Sequence, residues 1–535
     1  MTRGRLLTLG AVAAVAVALI AVRLTGDKAS GPVVPRLVDE AGAAGIDHIY
    51  DGEFPFFVGG GVAAFDCNND DRPELFLAGG TNTAGLWVNN SPIGGALSFS
   101  RLASPITDLV AVTGAYPIDI DSDGVLDLVV LRRGDSRILR GLGGCSFRDA
   151  TADFGVDTAD HWSVAFSATW ERDSSLPTLA FGNYLVKDTY DCDSNNLWRP
   201  APTGGTYGVP TSLTAHCTLS LLFSDWNNDG GVDLRVSNDR NYDRDAREQL
   251  WRVRTGEQPR EYGDAEGWRK VVIWGMGIAS HDLTGDGRPE VFLTSQADNK
   301  LQTLEDGAAG PAYRDIALER GVTAQRPYVG DDILPSTAWH PEFDDVNNDG
   351  VVDLFVAKGN VDAQPDYASS DPNNLLLGRT DGTFVERGGE SGIANDARSR
   401  GASLVDLNLD GLLDLVVVNR RVPVEVRRNV GTGMADAPVA MGHWIGVLVR
   451  QPAPNVFAIG AKVQVRTGTR IVTREITVGG GHASGEAGPV HVGLGDDDSA
   501  EVRVIWPGGE EGPWMRVAVD AVWEIERGVA SPRRR

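Results

Sequence analysis

Along most of the chain, short apolar runs alternate with tight polar turns. The runs are brief, as in LVVL, LFVAK and LVVVN, and rich in β-branched residues. Runs of that length and composition predict strands rather than helices. One polar turn recurs immediately before an apolar run, with the pattern D-x-[DN]-x-D-G-x-x-[DE]. It reads DCNNDDRPE from Asp66, DIDSDGVLD from Asp119, DWNNDGGVD from Asp225, DLTGDGRPE from Asp282, DVNNDGVVD from Asp345 and DLNLDGLLD from Asp406. A degenerate copy, TWERDSSLP from Thr169, precedes the apolar TLAFGNY. The seven starts, at 66, 119, 169, 225, 282, 345 and 406, lie 50 to 63 residues apart.

A near-constant period over seven copies marks a repeat architecture. Each copy opens with an extended run such as GGGVAAF or GMGIASH, passes through the acidic turn and enters the apolar run. A third run follows (QLWRV, NNLLLG, VEVRRN), and most copies end on a fourth, such as FRDATADFGV, YRDIALERGV or FVERGGESGI. Four strands per repeat is the content of a propeller blade. The expected fold is all-β: a seven-bladed β-propeller over residues 35–430. The seventh copy lacks its fourth strand, and RLVDEAGAAGI, residues 36–46, resembles the missing piece. An N-terminal strand is therefore expected to close the ring, removing the open edges of a linear array.

Carboxylates crowded into a turn repel, by roughly 4 kcal/mol for a pair about 4 Å apart at an effective dielectric near 20. A hard divalent cation would offset this. An EF-hand is excluded, because its twelfth position must be a bidentate Glu. Here that position is Leu77, Val130, Val236, Leu293, Val356 or Val417, all strand residues. Transition metals favour imidazole or thiolate, whereas these turns offer oxygen. Calcium fits, with side chains at positions 1, 3, 5 and 9, a backbone carbonyl at 7 and a turn-permitting glycine at 6. About six Ca²⁺ sites are expected. The ligand sets are Asp66, Asn68, Asp70 and Glu74; Asp119, Asp121, Asp123 and Asp127; Asp225, Asn227, Asp229 and Asp233. The remaining three are Asp282, Thr284, Asp286 and Glu290; Asp345, Asn347, Asp349 and Asp353; Asp406, Asn408, Asp410 and Asp414. In the first turn Asp71 replaces the glycine, and the copy at Thr169 is expected to be empty.

The net charge of −25 makes nucleic acid and anionic membranes poor partners. Arg3 and Arg5 followed by the apolar run Leu6–Val22 read as a signal peptide or N-terminal membrane anchor within residues 1–30, so the rest is expected outside the cytoplasm. Contact with a membrane is expected only through that anchor. Four cysteines suit two disulfides there. Cys192 and Cys217 flank one Pro/Gly-rich loop and are paired on that ground, leaving Cys67 with Cys145; free buried thiols are the alternative.

After residues 431–442, which read as a linker, the repeat pattern stops. Residues 443–528 show alternating β segments joined by glycine turns. The acidic turns and strands resemble FG-GAP/VCBS repeats, the blades of integrin-α-type propellers. GHWIGVLVRQPAPNVFAIGAKVQVRTG, GGGHASGEAGPVHVGLG and VRVIWPGGE resemble the ASPIC/UnbV domain. Together they resemble the cartilage acidic protein family of secreted repeat proteins. The resemblance implies an extracytoplasmic calcium-binding propeller with a small β domain and no defined activity.

The expected role is a non-enzymatic binding or adhesion scaffold whose partner is an extracellular or periplasmic protein or glycan. The alternative is a carbohydrate-active lyase or dehydratase at the propeller channel. It would require His161, His216 and His340, which precede or enter the innermost strands, to converge. Trp506, before the turn Pro507-Gly508-Gly509, is either a buried core residue or an aromatic platform for sugar.

Overall fold

The computed structural model describes residues 31–535 apart from 159, 173, 203 and 363, so the expected export segment lies outside the described residues. Seven sheets follow the seven repeats, each with four antiparallel strands; six take them in chain order, and the first gains a fifth, parallel strand from residues 485–487. Their first strands are Val62–Phe65, Val112–Ile118, Ser163–Thr169, Thr218–Ser224, Gly275–His281, Ala338–Asp344 and Arg398–Val405. Each first strand touches the first strand of the next sheet, and the seventh touches the first, so the series closes on itself. We number the sheets 1 to 7 in this order. The chain is all-β and propeller-like; its helices among the described residues are single turns.

Burial explains why the first strands do not alternate apolar with polar. Every residue of 112–118, 163–169 and 218–224 is buried, because both faces are covered by neighbouring sheets. Aromatic rings knit adjacent sheets: Tyr116 meets Phe166 at 5.5 Å between sheets 2 and 3, and Phe292 meets Phe343 at 6.2 Å between sheets 5 and 6. The outer strand of sheet 7 comes from the N-terminal end, Leu37–Asp39, pairing antiparallel with Glu425–Asn429.

Cys67 is bonded to Cys145, stapling sheet 1 to sheet 2, and Cys192 of sheet 3 is bonded to Cys217, which leads into the first strand of sheet 4; the stretch read from the sequence as one loop between them holds two strands, 195–198 and 211–213. Among the described residues no helix is long and apolar enough to cross a membrane.

Beyond Met441 two further sheets pack around Ile445, Val463, Val502 and their neighbours. Trp506 is buried there under the guanidinium of Arg527, so it belongs to this core and offers no sugar platform. This domain sits on the end of the ring that carries the acidic turns. His491 Nε2 lies 2.7 Å from Asn348 Oδ1, Asn455 N–H donates to Ser122 Oγ at 3.0 Å, and Arg535 pairs with Asp71 at 2.6 Å.

Candidate metal loops and the filled axis

Each acidic turn folds around its first carboxylate. Asp119 accepts the N–H groups of Asp123 (3.1 Å) and Gly124 (2.9 Å); Asp345 accepts those of Asp349 (3.1 Å) and Gly350 (2.7 Å); Asp406 those of Asp410 (3.1 Å) and Gly411 (2.8 Å). The ninth-position acid ties the turn to the sheet. Asp414 accepts the N–H of Leu407 at 2.9 Å and of Asn429, on the third strand, at 2.8 Å; Asp353 and Asp127 repeat this with Val346 and Gly378, and Ile120 and Gly141. In the first and fifth turns Glu74 and Glu290 hold the N–H groups of Cys67 and Leu283, both at 2.8 Å.

These acids are buried and crowded. Burial, reinforced by their acidic neighbours, pushes Asp127 and Glu74 up to about 8, Asp406 to about 7 and Asp119 to about 6. Asp345, Asp353 and Asp414 move the same way. Oxygens of Asp119, Asp121 and Asp127 lie within 4.8 Å of one another. Two third-position oxygens, Asp121 Oδ1 and Asn408 Oδ1, are buried with no hydrogen-bond partner among the described residues. A buried, unsatisfied acceptor among crowded carboxylates is the donor set that a hard cation satisfies, so the residues fit calcium.

Side-chain cations enter the second and fourth turns: Arg140 lies 2.6 Å from Asp121 and 2.9 Å from Asp123 in the second, and the fourth is filled more fully. Arg254 pairs with Asp233 and, at 3.3 Å, with Asp229. Lys462, from the C-terminal domain, donates to the Asp225 carbonyl at 3.1 Å and lies 3.4 Å from its carboxylate. Asp233 also accepts Trp226 Nε1–H at 2.7 Å and Tyr262 O–H at 2.9 Å. Protein side chains supply positive charge here. In the degenerate third copy Glu171 is likewise taken by Arg199 at 2.6 Å.

The axis of the ring is filled. Residues 478–488, VGGGHASGEAG, descend from the C-terminal domain and touch all seven sheets. Val478 bridges Ala168 and Gly479 bridges Leu222. Gly481 N–H donates to the Ile278 carbonyl at 2.6 Å, and His482 N–H to His340 Nδ1 at 3.0 Å. Ala483 accepts the Ala115 N–H at 3.3 Å, Gly485–Ala487 pairs parallel with Ala63–Phe65, and Ser403 Oγ reaches Glu486 at 3.3 Å. Glycines at the first strands make the room: a Cβ on Gly61, just before Val62–Phe65, would stand 1.8 Å, and one on Gly114, within Val112–Ile118, 2.1 Å, from the Ala483 carbonyl oxygen.

The three histidines have separate partners. His161 meets Asp193 at 2.7 Å and His216 meets Asp243 at 2.6 Å, at the end of the ring away from the acidic turns. His340 lies mid-strand against His482 and Glu342. Among the described residues no metal-sized cluster contains any of them. Reading the sequence missed the axial residues His482 and Glu486, and with them Glu342 and Arg474. The triple glycine 479–481 was their one visible signal.

Comparison with known proteins agrees with this architecture. Residues 66–130 and 345–417 match the FG-GAP-like repeat, and residues 451–532 match ASPIC and UnbV. These segments of the chain are similar to FG-GAP-like repeats and to the ASPIC and UnbV domain. The chain is 23% identical over 467 residues to cartilage acidic protein 1 of Xenopus tropicalis, covering 84% of this chain and 61% of that protein. With cartilage acidic protein 1 of Mus musculus it is 27% identical over 245 residues, 44% of this chain and 34% of that one. The chain thus spans less than two thirds of the length of either relative. Among solved structures, BBS1N in complex with ARL6DN is similar at a TM-score of 0.43 and 10% identity, over 74% of this chain and 97% of that one.

Proposed function

We propose that this protein is an exported, calcium-stabilised binding scaffold for an extracellular or periplasmic protein or glycan. The observation that carries the reading is the filled axis, which gives the ring the character of a rigid platform. Calcium bound in the acidic turns supplies the positive charge that their buried carboxylates need. Two disulfides suit an oxidising compartment.

The acidic turns lie against the C-terminal domain, so the presenting surface is the opposite end of the ring. There Tyr190 and Tyr242 are 55% and 42% exposed, with ring centroids 6.4 Å apart, and Phe54 stands 5.5 Å from Tyr190. Exposed aromatic rings are the anchors that protein and sugar ligands use. A lyase or dehydratase in the channel is disfavoured, because residues 478–488 fill the channel and the three histidines have separate partners.

The test is a screen of glycan and extracellular-protein arrays with residues 31–535, in calcium and in chelator. A retained ligand that is lost in chelator and weakened by Tyr190→Ala or Tyr242→Ala is expected. Sugar turnover in place of stable retention, or no ligand on either array, would sink the reading.

A further inference from the structure

Near the end of the second strand, three sheets place an asparagine opposite the start of the first strand. Asn183 faces Ser163 in sheet 3, Asn238 faces Thr218 in sheet 4 and Asn419 faces Ser399 in sheet 7. Each amide oxygen accepts the hydroxyl opposite, at 2.8, 3.0 and 2.9 Å. In sheet 6 the same position holds Lys358, opposite Ala338. Its side chain is 0% exposed, and Nζ lies 2.7 Å from Oδ1 of Asp371, whose side chain is 1% exposed. Asp371 comes from the loop that leads into the third strand, Asn374–Gly378.

The contact is an approach rather than a directed hydrogen bond, because Nζ is buried with no hydrogen-bond partner among the described residues. The ring of Tyr328 lies over it, 5.9 Å from Nζ to the centroid, and its O–H is anchored on the Asn373 carbonyl at 2.7 Å. Asn373 Oδ1 also holds the Lys358 N–H at 2.8 Å. The carboxyl group is gripped on both oxygens: Ser336 Oγ–H donates to Oδ1 at 2.9 Å and the Thr337 N–H to Oδ2 at 2.7 Å. A buried ion pair recovers only part of the cost of desolvating its two charges. Uncharged, the same two groups are an amine and a carboxylic acid held in contact away from water. Those are the reactants of an amide bond, with the entropy of bringing them together already spent.

We propose that Lys358 and Asp371 condense into an intramolecular isopeptide bond. One proton crosses from Nζ to the carboxylate, leaving a free amine and a neutral acid. Nζ attacks Cγ, the C–N bond forms, and the C–Oδ1 bond breaks. Oδ1 leaves as water, carrying the proton of the acid and one from Nζ, so neither oxidant nor cofactor is consumed. The Thr337 N–H stands where negative charge develops on Oδ2. The Ser336 hydroxyl stands at the departing Oδ1, placed to pass a proton to it. The product amide leaves no charge to bury. It ties the end of the second strand of sheet 6 to the entry of the third, independently of the surface that bears Tyr190 and Tyr242.

The test is mass spectrometry of residues 31–535, purified folded, then reduced, denatured and digested with trypsin. Trypsin cuts after a free lysine but not after one whose Nζ is part of an amide. Residues 321–379 are expected as one uncut peptide, lighter than its sequence by one water, with the intact chain lighter by the same amount. Asp371→Ala should restore both cleavage after Lys358 and the full mass. Lys358→Met should restore the full mass while the peptide stays uncut. Separate peptides 321–358 and 359–379 at full mass, from the unmodified chain, would overturn the proposal and leave a buried ion pair. That measurement needs no variant, so poor folding of either substitution does not blunt it. A loss of water that persists in Asp371→Ala would also overturn it, by placing the loss elsewhere.

Discussion

His482 and His340 are locked together at the centre of the ring: the backbone N–H of His482 donates to Nδ1 of His340 at 3.0 Å. His482 itself accepts the Gly59 N–H on Nε2 and directs Nδ1 to the Met276 carbonyl. Both rings are neutral in this arrangement, and both are held so by burial, which pushes His340 down to about 4 and His482 to about 3.

Acid should therefore loosen the axis. The unfolded chain takes up protons on these rings below about 6.5, the folded chain only near 4 and 3, so their contribution is full above 6.5 and lost as pH falls towards 4. Glu342 acts in the opposite sense. Burial raises it to about 8, so its protonated form stabilises the fold below about 4.5 and that contribution is lost as pH rises through 8. Glu342→Gln, which cannot ionise, should gain melting temperature relative to the parent between pH 5 and pH 8. A constant difference across that range would refute the assignment.

The glycines around the axis should be intolerant for steric reasons. Gly61→Ala forces a methyl group against the Ala483 carbonyl and should cost about 2–4 kcal/mol by denaturant unfolding. Gly42→Ala, whose Cβ would meet nothing within 4 Å, should stay within about 0.5 kcal/mol of the parent.

Chelation should lower the melting temperature, since binding at a thousandfold excess over Kd stabilises by about 4 kcal/mol per site. The sites should differ. Asp410→Ala removes an acid from a turn with an unsatisfied oxygen and should reduce bound calcium, counted by atomic emission, by one. Asp229→Ala, in the turn filled by Arg254 and Lys462, should leave the count unchanged.

The two disulfides should contribute unequally. Cys67–Cys145 spans 78 residues and Cys192–Cys217 spans 25. Loop-closure entropy predicts a loss of about 4 kcal/mol for the first and about 3 kcal/mol for the second when each pair is changed to serine. Equal losses measured in urea would point to an effect in the native state instead.

The ring was legible because its signal is local and repeated. Asp345, Asp349 and Asp353 lie within nine residues, and six copies of that spacing announce both the turn and the strand after it. The axis was not legible, because its contacts join residues far apart in sequence: Gly61 needs no side chain on account of Ala483. A glycine in an extended run reads equally well as a bend or a bulge. Lys462 was hidden for the same reason. Nothing near it in sequence shows that its ammonium enters the turn at Asp225, which fits an acidic cluster for calcium until a distant side chain arrives.

Because residues 478–488 form the axle on which every sheet rests, the order of synthesis matters. Four hundred residues of ring leave the ribosome before the piece that centres them, so newly made blades must wait, hollow, for the tail of their own chain. An export machinery that passes the polypeptide N-terminus first would deliver the ring unfilled and complete it only at the end of transit.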